Sequence, residues 1–293
     1  MSAARPIRLM IAGAQKAATS SLQYYLGQHP DVVTHGRGEI NFFVRDEEYG
    51  LGYENIFGHY FNQVDPGKVI LGKSIGIMYL REAAERLHEH NPDADVVLML
   101  RNPVDRAYSA YWFARSNGWE DVGSFEEAIY ADPLRFKEVV RQRNCAYLDR
   151  STYIKHVEML LEVFPTERLH IFLLEDLKKD PAEVCRRIFK VAGVDADFVP
   201  DFATRHNQAA IVRSEGFAKL MASDNRLRAL LRRLLPLGVT HAIRNGIKSL
   251  NRKAFDPPPM DIGTRAKLVE YFKPFNRRLE ALIGRDLSMW DKV

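Results

Sequence analysis

The sequence predicts an α/β fold with a central, largely parallel sheet flanked by helices. Three observations predict it. Short apolar runs alternate with helical patterns along the chain, as βα units require. The strongest runs are apolar without alternation, the mark of strands covered on both faces. Helix starts and stops carry capping residues, so the periodic segments have defined ends.

Residues 7–12 (IRLMIA) read as the first buried strand, running through GAQKAATSS into a helix that Gly27 and His29-Pro30 end. Residues 69–72 (VILG) form a brief second strand, and Asp95–Leu100 (DVVLML) a third. After Arg101-Asn102-Pro103 a helix begins near Pro103. Residues 169–174 (LHIFLL) make the fourth strand. Asp180-Pro181-Ala182-Glu183 supplies an N-cap, a proline at the first helical position and a carboxylate at the third, with Gly193 as the stop. Ser124-Phe125-Glu126-Glu127 has a capping-box pattern. The prolines at 257–259 form a rigid linker before a last amphipathic helix over residues 265–283, closed by Gly284.

At 293 residues the chain is expected to form one domain over 1–293, with substrate-lobe segments near 40–70 and 205–260. An apolar share of 46% and a charged share of 27% exclude disordered and collagen-like classes. No apolar run reaches the roughly 18–20 residues of a membrane span, and MSAARPIRLMIAG is too short in its apolar part for a signal peptide. Cys145 and Cys185 make no disulfide framework or zinc pattern, so a cytoplasmic setting is expected. His88 and His90, two apart on a helical pattern, do not share a face and are poor metal ligands. The net charge of +4 permits an anionic ligand. Between Arg226 and Lys253 every charged residue is basic: a solvated helical face, or a cationic wall for an anionic substrate or a membrane surface.

Two constellations have phosphate-binding chemistry. In Gly13-Ala14-Gln15-Lys16-Ala17-Ala18-Thr19-Ser20-Ser21, small residues permit a sharp strand-to-helix turn. The helix-start amides there present a ready anion site, to which Lys16 adds a point charge. Lys16 is not part of a GK[ST] triplet, so this is no Walker A loop. In the second, Arg101 ends a central strand, where open α/β sheets bind ligands, and Ser109 stands about two turns into the next helix. A guanidinium and a hydroxyl suit a terminal phosphate; an Arg101–Asp105 pair capping the helix is the other reading.

Together, GAQKAATSSL and LRNPVDRAYSAYW resemble, in order and spacing, the 5′-phosphosulfate loop and the 3′-phosphate motif of the sulfotransferases that use 3′-phosphoadenosine 5′-phosphosulfate (PAPS). CAYLDRSTYIKHVEMLLEVFPTERLHIFLLEDLKKDPAEVCRRIFKVAGV looks like a scaffold segment of that superfamily, and LVEYFKPFNRRLEALIGRDLSMW is similar to the ending of many bacterial members. The resemblance covers most of the chain, least over 45–68 and 205–255, and departs at Ala18, where the family usually has glycine. It implies a P-loop-like sheet with helical substrate-binding insertions. It also implies Lys16 at the phosphosulfate bridge, and Arg101 and Ser109 on the 3′-phosphate. Ala17, Ala18, Thr19, Ser20 and Ser21 become the remaining 5′-phosphate donors, and Arg213 joins the cofactor-binding set. PAPS would be the donor and 3′-phosphoadenosine 5′-phosphate (PAP) the product, with no metal required.

HGRGEINFF resembles the KE-x-x-FF segment of the heparan-sulfate-type branch, whose glutamate is the proposed base. That implies Glu39 as base, with Gly38 at the lysine position and His35 as a reserve base; a solvated loop carboxylate beside Phe42-Phe43 is the other reading. GKSIGIMYL is similar to EKSPxYL, with Gly72 and Ile75 replacing the glutamate and proline. It gives Lys73 a role in fixing the sulfuryl group or orienting the base, or leaves it a strand-end lysine. The acceptor would be a hydroxyl, less favourably an amine, of a small molecule, lipid or glycan. Aromatic residues such as Tyr49, Tyr60 and Phe217 fall in the expected lobes. No nucleic-acid-binding signature stands out. A P-loop-type kinase or NTPase, and a non-catalytic nucleotide-binding module, are the alternatives.

Overall fold

The computed structural model describes residues 5–36, 38–61, 64–131, 144–203, 210–212, 252–254 and 257–293. They fall into two compact units. One is drawn from Met1–Arg106, Arg150–Asn207 and Ala266–Val293, the other from Ala107–Asp149 and Gln208–Arg265.

The first unit is built on a five-stranded sheet of β1 (Leu9–Gly13), β2 (Val32–Thr34), β3 (Val69–Lys73), β4 (Asp95–Leu100) and β5 (Leu169–Leu173). The order is β2-β3-β1-β4-β5, and every pairing is parallel. All residues of β1 and β4 are buried, which is why those strands are apolar without alternation. Four strands lie where the sequence predicts them. The fifth, β2, is only three residues long, too short to show a period.

Helices α1 (Thr19–Leu26), α2 (Arg81–His90), α3 (Pro103–Ser116), α4 (Tyr153–Val163), α5 (Leu174–Lys179), α6 (Pro181–Ala192) and α7 (Ile262–Ile283) connect or follow these strands. Leu174, expected to end a strand, begins α5. In α6 the Asp180 side chain accepts the Glu183 amide at 3.0 Å, and Gly193 closes the helix in the left-handed conformation at φ 73°. Val184, Cys185, Ile188, Phe189 and Ala192 form its buried stripe. Helix α3 is capped by Asn102, whose Oδ1 accepts the amides of Val104 and Asp105 at 2.9 and 3.3 Å. Gly13 ends β1 against Met78; a Cβ there would fall 2.5 Å from the Met78 sulfur, so the close approach requires glycine.

In the second unit, Tyr108, Tyr111, Phe125 and Tyr147 form a ring cluster, with Tyr108 and Phe125 5.1 Å apart edge to face. Ser124 caps the helix Phe125–Tyr130 by accepting the Glu127 amide at 3.2 Å. Strands β6 (Ala210–Val212) and β7 (Arg252–Ala254) pair antiparallel. Apart from Arg252 and Lys253, the basic stretch 226–253 lies outside the described residues. Among the described residues, no helix is long and apolar enough to cross a membrane.

At the amino edge of the sheet, the buried Asp95 carboxylate is met by two guanidinium groups and an imidazole. His170 Nε2 lies 2.9 Å from Oδ1, and Arg168 Nη1 and Arg8 Nη2 lie 3.2 and 3.3 Å from Oδ2. Asp95→Ala leaves these groups without their shared anion. Because all three are partly solvated, the expected loss is about 2 kcal/mol, below the 3–5 of a fully buried pair. Chemical denaturation should show it as a lower midpoint at unchanged m-value.

Candidate active site

The carboxyl ends of β1, β3 and β4 face the same edge of the parallel sheet, and the predicted residues of the first unit gather there. The loop after β1 is held on one side by the Ala14 amide, which donates to the Met99 carbonyl at 2.8 Å. Lys16 and Ala18 take positive φ of 69° and 61°. Ala18 is the N-cap of α1 and supplies no side-chain cap, and no acidic residue stands in the first turn. The start of α1 therefore keeps the polarity that favours an anion. Lys16 is half-buried rather than fully solvent-facing, and Ala17 and Thr19 are buried.

Lys73 ends β3 and is buried at 4% exposure. Its Nζ donates to Ser20 Oγ at 3.0 Å and lies 3.4 Å from Glu39 Oε1. The other carboxylate oxygen of Glu39 accepts the Ile75 amide at 2.7 Å. Backbone pairing of Ile40 N–H with the Lys73 carbonyl at 2.8 Å carries Glu39 along the end of β3. Phe42 and Phe43, both buried, anchor the segment that follows. About a third of the Glu39 side chain stays open to solvent. Burial pushes the Glu39 pKa above the ordinary carboxylate value, while the Lys73 charge and the Ile75 amide pull against that rise.

His35 is buried, and its Nε2 accepts the Lys73 amide at 3.1 Å with Gln23 Nε2 3.3 Å away. Its ring nitrogen is thus engaged in bracing β3 against α1. Arg101 donates from Nη1 to the Lys16 carbonyl at 3.3 Å and has its own carbonyl held by Tyr153 Oη at 2.9 Å. The structure therefore brings together Lys16 with Arg101, and Ser20 with Lys73 and Glu39. Arg101 belongs to the first unit, and Ser109 lies on the part of α3 that belongs to the second. Arg213 and Phe217 lie outside the described residues.

Sequence reasoning missed three residues on the loop's flank: Gln15, Tyr79 and Arg150. The Gln15 amide donates to Tyr79 Oη at 3.1 Å, and Arg150 Nη1 reaches Gln15 Oε1 at 3.5 Å. All three stand in quoted motifs, yet no spacing rule brings positions so far apart to one loop.

Residues 6–210 match the family described as the sulfotransferase domain. Bifunctional heparan sulfate N-deacetylase/N-sulfotransferase 3 from Homo sapiens is 27% identical over 297 residues, covering 97% of this chain and 31% of that protein. Heparan sulfate glucosamine 3-O-sulfotransferase 3B1 from Mus musculus is 26% identical over 289 residues, covering 96% and 64%. The chain thus spans between about a third and just under two thirds of these curated relatives. Among solved structures, a sulfotransferase from Alicyclobacillus acidocaldarius is similar at a TM-score of 0.70 and 29% identity, covering 99% of this chain and 100% of that one.

The left-handed Ala18 yields a test of the loop geometry. Glycine takes this conformation without a Cβ penalty, so Ala18→Gly should stabilise the protein by about 1 kcal/mol, read as a raised Tm. Were alanine comfortable there, the exchange would instead lower Tm.

Proposed function

The chain belongs to the sulfotransferase domain family, and we propose that it transfers a sulfuryl group from PAPS to an acceptor hydroxyl, with Glu39 as general base. The observation that carries this reading is the Lys73 ammonium joining Ser20, on the phosphate-loop helix, to the Glu39 carboxylate. One buried cation thereby couples the donor loop to a basic group. Of the three acceptor classes, a glycan is favoured, because both relatives described above are named for heparan sulfate.

The residues suit a PAPS-like donor: a helix start without a side-chain cap or acidic first turn, flanked by Lys16 and Arg101. Bound there, the donor supplies the sulfuryl group and a nucleotide 5′-phosphate as leaving group. The amides and hydroxyls of 17–21 hold that 5′-phosphate, while Arg101 and Ser109 hold the 3′-phosphate. Glu39 takes the hydroxyl proton as the acceptor oxygen bonds to sulfur. Lys16 and the α1 amides stabilise the electron pair left on the phosphate when its bond to sulfur breaks. Lys73 keeps Glu39 ionised and oriented. The reading assigns no step to a metal and treats residues 1–293 as one catalytic domain, with Arg213 in its donor site.

Lys16→Ala should reduce turnover at least about 100-fold while sparing the fold, since its charge acts chiefly at the departing phosphate. Arg101→Lys should weaken PAP binding strongly and 5′-AMP binding slightly, because a point charge cannot replace a bidentate fork on the 3′-phosphate. Calorimetric titration of both nucleotides checks this; equal losses would remove the 3′ assignment.

Glu39→Gln should cut kcat by about 10²–10⁴ with donor affinity nearly unchanged. His35→Asn, assayed beside it, gives the reserve base its chance. Glu39 must be ionised to accept a proton, so the rate falls as pH drops through its pKa. Burial places that acidic limb above the ordinary carboxylate value of 4.5. Lys73→Met removes a charge that opposes the rise, and the limb should move to still higher pH in kcat/KM profiles. A limb unmoved by Lys73→Met would show that Glu39 does not set it.

A further inference from the structure

On the flank of the phosphate loop lies a cluster that the reaction above does not use. Tyr79 ends a short 3₁₀ turn, Ile77–Tyr79, and its Oη accepts the Gln15 amide at 3.1 Å. The Arg150 guanidinium carbon sits 4.4 Å from the centre of the same ring, while Nη1 reaches Gln15 Oε1 at 3.5 Å. On α4, His156 packs its ring edge to face against Tyr79, 4.9 Å between centres. Gln15, Arg150 and His156 are all buried, and every member lies in the first unit. Burial, together with the charges of Lys155, Arg150 and Arg106, holds the His156 imidazole well below its usual pKa. Its ring therefore packs on Tyr79 as an uncharged partner.

The loop these groups touch is conformationally costly. Lys16 and Ala18 both carry a Cβ and both hold positive φ, a region such residues occupy only when their surroundings fix them there. Gln15 immediately precedes the first of the two. Tyr79 holds its backbone and Arg150 its side chain, while the Arg101 bond to the Lys16 carbonyl and the Ala14 bond to the Met99 carbonyl hold the loop elsewhere.

We propose that Tyr79 and Arg150 are positioning residues that clamp Gln15 and so keep the phosphate loop in its donor-binding shape, compensating for alanine at position 18. The proposal rests on the reading of that loop as the donor site. It accounts for how this chain carries Ala18 in a left-handed conformation that glycine adopts without strain.

The test titrates PAP into the intact protein and measures KM for donor and acceptor. It compares wild type, Tyr79→Phe and Arg150→Lys, each with and without Ala18→Gly. Tyr79→Phe keeps the ring that Arg150 and His156 pack on but removes the oxygen that accepts the Gln15 amide. Arg150→Lys keeps the charge but loses the planar guanidinium. The expected result is about tenfold weaker PAP binding and a matching rise in donor KM for each variant, as for loss of one buried hydrogen bond. Acceptor KM should not move, and Ala18→Gly should restore most of the loss. A purely structural role would lower Tm while leaving PAP affinity and donor KM of the folded protein unchanged, and that outcome overturns the clamp. Should Tyr79→Phe fail to fold, Arg150→Lys carries the comparison. If wild type itself binds no PAP, the donor reading falls and the clamp with it. Wild-type binding with unaltered variants overturns the clamp alone.

Discussion

A buried ammonium at the end of β3 organises the candidate site. Lys73 is 4% exposed, and a cation withdrawn from water to that degree needs an anion and hydrogen-bond acceptors close by. Ser20 and Glu39 meet that need from two directions, one from the first turn of α1 and one from the segment alongside β3. The constraint works both ways. Glu39 is desolvated enough for its pKa to rise, yet Lys73 and the Ile75 amide oppose that rise, so the carboxylate is more basic than usual while remaining paired.

The sheet makes this meeting possible. With every pairing parallel, the ends of β1, β3 and β4 emerge on one edge, so residues 13–20, 73 and 101 become neighbours despite their separation in sequence. Close approach at Gly13 lets Met78 pack beneath the loop. At the opposite edge, Asp95 gathers Arg8, Arg168 and His170, tying β1, β4 and β5 together where no chemistry is proposed. Anchoring and reaction are thus assigned to opposite ends of the same strands.

How much of this is legible in sequence depends on the range of the interaction. The long apolar strands and the Asp180–Gly193 helix are read directly, because burial and capping act over a few residues. So is the loop from Gly13 to Ser21, whose small residues and lysine are local to one turn. Strand β2 escapes because three residues hold no period. The helix cap at Asn102 is not singled out by the sequence and emerges only with the placed amides of Val104 and Asp105. That the His35 Nε2 accepts the Lys73 amide is visible only once the two segments are placed together. The joining of Lys73 to Ser20, and of Arg150 to Gln15, spans separations that no propensity or spacing rule encodes.

Ala18 shows how a side chain held in a costly backbone conformation can be read physically. The N-cap of α1 is left-handed at Ala18, and glycine is the residue that adopts that conformation without strain. With alanine in its place, the same φ has to be enforced by contacts outside the turn. The loop has them on both flanks: Met99 and Arg101 from β4 and its end, Tyr79 and Arg150 from the other side. A glycine-bearing loop would need fewer such ties, since its own backbone could supply the shape. On the proposal above, the ties around Gln15 and Lys16 and the side chain at position 18 answer one requirement: the loop must be shaped before the anion arrives.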